Sequence, residues 1–324
     1  MTSSTANFLT SAAQCVNSPA RFVKTLVFTL LYSVVGSVPL IVVMVMRGAT
    51  SSEDLNAQTL GLHEALFFAL LMLPELTLLW GLFRQVRKQH GQDWARLITP
   101  RREIHWGKML YAGAVWGGLT LAVELGAFAL NADRYTVAFE PSVFVPLVLA
   151  VLLLVPFQAS FEEIAFRGYL MQQTALISRR VWMPLVLTSF VFAALHLANP
   201  EVEAYGVARM FPGYFLVGLM FGIATLMDNG LELAMGAHTA NNIIAFVVVS
   251  EPHSVMKTPT LLTAPASPPT LASYAVLLLC GGVFLALMAR AYNWGSFSRL
   301  LATIEFPPPP QEQASEPQHA PNVA

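Results

Sequence analysis

The sequence predicts an all-α fold, a polytopic membrane bundle of about eight transmembrane helices. Of its 324 residues, 55% are hydrophobic and only 11% are charged, whereas a soluble domain carries about 25% charged residues. The mean hydropathy is +0.58, and the apolar residues fall in runs of about 20, enough to cross about 30 Å of hydrocarbon. So few charges could not cover a water-exposed surface, which excludes the soluble enzyme classes.

Eight apolar segments account for this composition. Each is expected to be helical, because a segment in lipid must satisfy its own backbone hydrogen bonds. They are residues 25–46, 59–83, 109–130, 143–170, 182–198, 211–227, 231–249 and 271–289. The tail, residues 307–324, is rich in proline and polar residues and is predicted to be disordered.

The basic residues are distributed unevenly between the two ends of these segments. Thirteen fall on one side, Arg21, Lys24, Arg84, Arg87, Lys88, Arg96, Arg101, Arg102, Lys108, Arg179, Arg180, Arg290 and Arg299, and four on the other, Arg47, Arg134, Arg209 and Lys257. The positive-inside rule therefore predicts that both termini are cytoplasmic. We expect residues 84–108 to form a solvated cytoplasmic loop; contact with anionic lipid head groups is the alternative. The net charge of -1 gives no basic footprint for nucleic acid.

Six carboxylates fall inside the predicted spans, where a charge is costly and needs a reason. They are Glu64, Glu75, Glu124, Glu162, Glu163 and Glu232. Glu64 and Glu232 lie near span ends, within reach of head groups or water. Glu75 and Glu124 lie deeper and could be protonated, paired across helices or exposed to a cavity. The sequence HEALF begins like the zinc motif HExxH, but Phe67 stands where the second histidine is required.

Glu162 and Glu163 stand together in SFEEIAFRGYL. On a helix, Glu163 shares a face with Arg167 and can pair with it, while Glu162 points about 100° away and stays free. We expect Glu163 and Arg167 to organise the site. A purely structural ion pair with one extra acid is the alternative interpretation.

Two histidines and an asparagine occur on later spans. His196 ends the run TSFVFAALH, with Phe192 one turn earlier, and His238 lies in GAHTANN, with Asn242 one turn later. A lone histidine in a span is usually a packing residue. Two histidines, an amide and a free carboxylate on three spans instead indicate a shared site.

Helix rise places these groups at similar depths. If the helix that carries Glu162 continues to about Ser178, Glu162 lies about 24 Å from its cytoplasmic end, and His196 lies about 21 Å from Trp182. We therefore predict one water-filled cavity, opening toward the cytoplasmic side. A helix of that length should break, and Pro156 is the expected place.

These residues resemble the CPBP family of intramembrane proteases. The family includes the Ras-converting-enzyme type of CAAX prenyl protease and bacterial relatives linked to bacteriocin immunity. Its pattern of EExxxR, FxxxH and HxxxN stands here at residues 162–167, 192–196 and 238–242. The resemblance covers about residues 143–250 and implies an eight-helix fold and peptide hydrolysis inside a membrane, here the plasma membrane of a bacterium.

The resemblance also divides the chain. A cytoplasmic N-terminal segment (1–24) precedes three transmembrane helices with a basic cytoplasmic loop (25–142). The catalytic core helices (143–250), a last transmembrane helix with its flanks (251–306) and the tail (307–324) follow.

By resemblance, Glu162 is the general base that activates water, with His196 beside it. His238 and Asn242 stabilise the oxyanion, and Glu163, Arg167 and Phe192 support them. The motifs place no serine or cysteine as a nucleophile, so direct attack by water is preferred.

The expected reaction needs no cofactor, because Asn242 is a poor zinc ligand and a good oxyanion donor. The alternative is a zinc site of Glu162, His196 and His238. The expected partners are a membrane-associated protein or peptide substrate and the lipid bilayer. A non-catalytic scaffold, a bacteriocin-immunity protein and a proton-coupled transporter are the alternative functions.

Overall fold

The protein is an all-α membrane bundle, as predicted. The computed structural model describes residues 7–51, 54–101, 103–137, 139–256 and 258–306. The tail predicted to be disordered lies outside the described residues, as do Arg102 and Lys257. Within the described part, eight helices build the bundle: α1 (Pro19–Arg47), α2 (Glu64–His90), α3 (Trp106–Leu130), α4 (Pro141–Ile177), α5 (Trp182–Leu195), α6 (Val207–Asp228), α7 (Glu232–Val247) and α8 (Leu271–Ala291).

Six of these helices, α1 to α4, α6 and α8, are long and apolar enough to cross a membrane. The other two are shorter, with 14 residues in α5 and 16 in α7, or about 21 and 24 Å. The first half of α7, from Glu232 to His238, is buried in the bundle. A helix surrounded by protein does not need the length that lipid exposure imposes.

The helix α2 begins five residues later than its apolar run. The short helix Ala57–Leu60 comes first and ends at Gly61, whose φ of 62° is left-handed. His63 then caps α2, its Nδ1 accepting a hydrogen bond from the Ala65 N–H at 3.2 Å. Turn chemistry, rather than hydropathy, therefore sets this boundary.

One end of the bundle, here called the basic end, is formed by residues 7–18, 91–101, 103–105, 178–181, 229–231 and 292–306. Ion pairs connect its segments. Lys108 Nζ lies 2.7 Å from Asp228 Oδ2, and Arg101 lies 3.5 Å from Glu232. The N-terminal 3-10 helix docks there too, because the Phe8 N–H donates to Asn229 Oδ1 at 2.7 Å.

The opposite end, here called the sheet end, is formed by residues 48–51, 54–63, 131–137, 139–140, 199–206, 249–256 and 258–270. It carries a small sheet of three strands, β1 (Thr136–Val137), β2 (Val249–Ser250) and β3 (Leu262–Thr263). Their order is β1-β3-β2, with β1 antiparallel and β2 parallel to β3. The Tyr205 hydroxyl donates to Glu251 at 3.0 Å and so ties residues 199–206 to this sheet.

The prediction that α4 breaks at Pro156 was wrong. The helix continues through Pro156, and its irregular stretch is a π-helical segment, Ile164–Leu170, that follows Glu163 directly. Proline removes only one backbone hydrogen bond, a loss that membrane helices tolerate. Within the π-helical segment, a Cβ at Gly168 would lie 2.7 Å from the Leu97 carbonyl oxygen, so glycine allows residues 95–98 to pack there.

Candidate active site

The four residues predicted to act together, Glu162, His196, His238 and Asn242, line one cavity of about 580 Å³. Helix α4 contributes the carboxylate, the C-terminal end of α5 contributes His196, and α7 contributes His238 and Asn242. The position of α7 is fixed by close packing on α3, where a Cβ at Gly236 would clash with the Met109 carbonyl. The three short motifs thus supply one polar site inside the bundle.

Glu162 presents one carboxylate oxygen to this cavity. Its Oε1 accepts a hydrogen bond from Gln158 Nε2. Its Oε2 has no hydrogen-bond partner among the described residues and lies 3.8 Å from His238 Nε2. The Glu162 side chain is 18% exposed as a whole, whereas Oε2 itself is buried and without a partner, so it is an unsatisfied acceptor at the wall of the cavity.

Glu163 faces the protein interior instead. Its Oε1 accepts hydrogen bonds from Arg167 Nη1 at 2.9 Å and from His238 Nδ1 at 2.8 Å. Both side chains of the predicted Glu163–Arg167 pair are fully buried. Arg167 also donates to the Gly218 carbonyl at 3.2 Å, and its guanidinium lies 4.3 Å from the Phe192 ring centroid. The pair therefore connects α4 to α5, α6 and α7.

The tautomers of both histidines follow from their partners. A carboxylate and a backbone carbonyl only accept hydrogen bonds. His238 must therefore carry a hydrogen on Nδ1, which contacts Glu163. His196 must do the same, because its Nδ1 lies 2.7 Å from the Phe192 carbonyl oxygen. Nε2 of each ring is then the atom left to bind water or substrate, as an acceptor when the ring is neutral and as a donor when it is doubly protonated.

Gln158 belongs to the site and was missed by the sequence analysis. Its Nε2 donates to Glu162, and its Oε1 accepts from Asn242 Nδ2 at 2.9 Å. It therefore bridges the carboxylate and the amide. The available signal was its position four residues before Glu162, on the same face of a transmembrane helix.

A network behind Asn242 fixes the orientation of its amide. Asn242 Oδ1 accepts from Asn241 Nδ2 at 3.2 Å, and Asn241 Oδ1 accepts from Trp116 Nε1 at 3.2 Å. Because both hydrogen-bonding ends of the Asn242 side chain are engaged, its NH₂ group is held with one hydrogen on Gln158.

His196 is held by two aromatic rings. Its ring centroid lies 4.3 Å from that of Phe192 and 4.7 Å from that of Tyr214. The Tyr214 hydroxyl in turn donates to Glu201 Oε1 at 2.5 Å, and Asn199 Nδ2 lies 3.3 Å from both of these oxygens. Sequence analysis missed Tyr214, Glu201 and Asn199. They belong to no motif, and only the fold brings them to His196.

The remaining carboxylates are now placed. Glu75 lines the same cavity, whereas Glu124 lines a separate cleft at the sheet end with Arg134 and Tyr135. Glu232 is buried and paired with Arg101. Glu64 opens the first turn of α2 and is partly exposed.

The alternative zinc site would take Glu162, His196 and His238 as its ligands. Zinc needs donors about 2.0–2.2 Å away on several sides. Across the described ranges, no group of three or more His, Cys, Asp or Glu side chains is arranged to hold a metal ion. His238 and His196 each donate through Nδ1 and keep Nε2 free, and Asn242 adds an amide rather than an acidic ligand.

The cavity reaches the sheet end of the bundle. Its lining there consists of Asn199, Glu201, Arg209, Val255, Met256 and Pro269. In the described part of the chain, no lining residue belongs to the basic end. The prediction that the cavity opens toward the side with the basic loops was therefore wrong. The helix rise explains the error. The distance from Glu162 to Ile177 is about 22 Å, which is more than half of a core about 30 Å thick.

Comparison with known proteins adds to this geometry. A family model described as type II CAAX prenyl endopeptidase Rce1-like matches residues 141–244, the part of the chain that carries all three motifs. The uncharacterized protein YyaK of Bacillus subtilis (strain 168) is 32% identical over 213 residues, which cover 63% of this chain and 70% of that protein. No solved structure matches the chain.

Proposed function

Because this chain belongs to the Rce1-like family of type II CAAX prenyl endopeptidases, we propose that it is a glutamate-dependent intramembrane endopeptidase. It hydrolyses a peptide bond of a membrane-associated protein or peptide. The observation that carries the proposal is the free Oε2 of Glu162. This oxygen is a buried acceptor without a partner among the described residues, and Glu162 lines a cavity that also contains two imidazoles and an oriented amide.

Glu162 activates the water. A general base must lie within about 2.6–3.2 Å of the water that it deprotonates, and Oε2 is the oxygen of Glu162 without a protein partner. A water at Oε2 gives one proton to Glu162 as its oxygen bonds to the scissile carbonyl carbon. His196 Nε2, an acceptor in the neutral ring, holds the same water.

Asn242 and His238 stabilise the negative charge that develops on the carbonyl oxygen. The Asn242 amide has two hydrogens. One is bound by Gln158, and the second is available to the oxyanion. His238 adds a donor at Nε2 when its ring is doubly protonated. When the tetrahedral intermediate collapses, the C–N bond breaks and the proton on Glu162 passes to the leaving amine.

Gln158 maintains the geometry of this reaction. Its single side chain contacts both the base and the oxyanion donor, so the two cannot move independently. Pre-oriented dipoles among apolar walls stabilise developing charge more than freely reorienting solvent does. The apolar walls of the cavity, with Leu71, Met72 and Phe246 among them, supply that environment.

The proposed location is the plasma membrane of a bacterium, with both termini in the cytoplasm. The charge asymmetry of 13 basic residues against four supports this orientation. The count assigns Arg101 and Lys108 to the same side of the membrane. Both lie at one end of the bundle, where each is paired with Asp228.

The proposal is tested by comparing protein termini in cells that express the native chain, Glu162→Gln or Glu124→Gln. Glu124→Gln is the matched control, since it also removes an intramembrane carboxylate but lies outside the cavity. We expect new N-termini in membrane-associated proteins with the native chain and with Glu124→Gln, and none with Glu162→Gln.

Peptides that span the cleavage sites, made with and without a farnesyl group, then test the purified protein for direct cleavage and for a prenyl requirement. The proposal would be contradicted if no cleavage product depended on Glu162 although all three proteins were present in the membrane in equal amounts. A non-catalytic scaffold would then be the better interpretation.

A further inference from the structure

We propose that the substrate reaches the cavity from the extracytoplasmic half of the membrane, through the sheet end. The substrate class is then an apolar polypeptide segment anchored in or exposed at the outer leaflet, rather than a tail that stays in the cytoplasm. The inference rests on the proposed function and orientation and adds the side of access.

The first support is the depth of the cavity on each helix. On α2, its lining residues Leu71 and Glu75 lie about 11 and 17 Å from the start of the helix at the sheet end. On α8, Tyr274 and Leu277 lie about 5 and 9 Å from the same end. On these two helices, the cavity lining therefore lies in the half nearest the sheet end.

The second support is the packed core between the site and the basic end. Ile164 and Tyr169, just beyond Glu163 on α4, pack with Leu97 and Leu231, and all four residues are at most 1% exposed. Phe8, from the N-terminal 3-10 helix, completes this core and is also 1% exposed. Interiors at this density leave no path for a peptide.

Polar contacts close the basic end further. Tyr169 and Thr25 share the buried ring of His90, through hydrogen bonds of 3.1 Å to each hydroxyl. The ion pair of Lys108 with Asp228 joins the first turn of α3 to the end of α6. Access from this side would require these groups to separate, whereas the sheet end is already open.

The chemistry of the walls indicates what enters. Most of the lining between the site and the sheet end is apolar, including Leu71, Val217, Phe246, Met256 and Leu277. An apolar, extended segment would bury its side chains against these residues and bring one peptide bond to Glu162. Arg209 is the basic residue among the described lining, and it lies at the mouth.

Cysteine accessibility tests the side of access without requiring catalysis. The chain has two cysteines, Cys15 and Cys280, and both are free thiols, so Cys15→Ser with Cys280→Ser gives a cysteine-free background. Two single-cysteine variants report orientation. Val255→Cys marks the cavity mouth and Phe297→Cys the basic end, and these residues are matched in exposure at 48% and 45%.

A membrane-impermeant maleimide is applied to intact cells from which any outer membrane has been removed. We expect it to label Val255→Cys fully and Phe297→Cys only after permeabilisation. Labelling of Phe297→Cys and not Val255→Cys in intact cells would overturn the inference, because the orientation would be reversed.

Variants inside the cavity separate access from orientation. Leu71→Cys and Met210→Cys contribute to the lining from α2 and α6. A small, charged methanethiosulfonate reagent should label both at least tenfold faster in right-side-out than in inverted vesicles. Faster labelling in inverted vesicles, or no labelling from either side, would also overturn it. Because no substrate is needed, these outcomes are independent of the Glu162→Gln experiment that tests the proposed function.

Discussion

The buried arginine of α4 offers a quantitative test of how the site is organised. Arg167→Met keeps most of the side-chain volume but removes the guanidinium, which donates to Glu163 and to the Gly218 carbonyl. Glu163 would remain fully buried, with only His238 as its hydrogen-bond donor. Breaking a buried ion pair in this way costs about 3–5 kcal/mol, or roughly a 100- to 4,000-fold change in the unfolding equilibrium.

A second substitution should recover much of this loss. In Glu163→Gln with Arg167→Met no unpaired charge is buried, and the glutamine Oε1 can still accept from His238 Nδ1. We expect a coupling energy of about 2 kcal/mol between the two positions. Arg87→Met, which removes an exposed arginine, is the control and should change stability by no more than about 0.5 kcal/mol.

The assay is reversible unfolding in mixed micelles, followed by the fluorescence of the six tryptophans and combined with turnover of a substrate peptide. Arg167→Met should lose turnover as well as stability, because Phe192, which packs on His196, lies under the guanidinium. An Arg167→Met protein within about 1 kcal/mol of the native free energy of unfolding, and fully active, would refute the reasoning.

Three further outcomes are expected. Asn242→Ala should lower kcat by about 10²–10³, the usual effect of losing one oxyanion donor, with little change in KM; a steady-state assay showing a larger effect on KM would assign Asn242 to substrate binding. Tyr214→Phe keeps the ring on His196 but loses the hydrogen bond to Glu201, so kcat should fall about tenfold and Tyr214→Ala should fall further; equal activities would mean that Tyr214 does not position His196. The purified protein should contain far less than one equivalent of zinc and keep its activity in chelator; stoichiometric zinc in elemental analysis, with inactivation that added zinc reverses, would overturn the metal-free reaction.

Hydropathy predicted the helices well where lipid contact sets their length. The last apolar segment, residues 271–289, agrees closely with α8, Leu271–Ala291, since a helix exposed to lipid must be apolar over the full hydrocarbon thickness. Hydropathy predicted helix boundaries and irregularities less well where turn residues or local packing determine them. The start of α2 depends on Gly61 and His63, and the irregularity of α4 is a π-helical segment that no proline marks.

The candidate site shows the same division. Sequence analysis identified Glu162, His196, His238 and Asn242 because each is a polar residue in an apolar run and belongs to one of the three motifs. Tyr214 belongs to no motif, and its partners Asn199 and Glu201 come from the segment before its helix. Gln158 lies one turn before Glu162 on the same helix, but its contact with Asn242 on α7 depends on the fold. The prediction of the end at which the cavity opens was wrong for a related reason. The distribution of basic residues orients a helix in the membrane but does not locate a cavity along it.

The two adjacent glutamates show why residue order matters within the motif EExxxR. Glu163 is fully buried, and its Oε1 accepts from both Arg167 and His238, so a proton taken from water there would weaken two contacts that organise the bundle. Glu162, about 100° around the helix, has an Oε2 without a hydrogen-bond partner, so gaining and losing a proton there leaves the contacts of Glu163 with Arg167 and His238 intact. The different roles of Glu162 and Glu163 follow from helix geometry, which points adjacent side chains in different directions. One carboxylate holds the histidine and the arginine in place, and its neighbour is thereby left free to exchange a proton in each catalytic cycle.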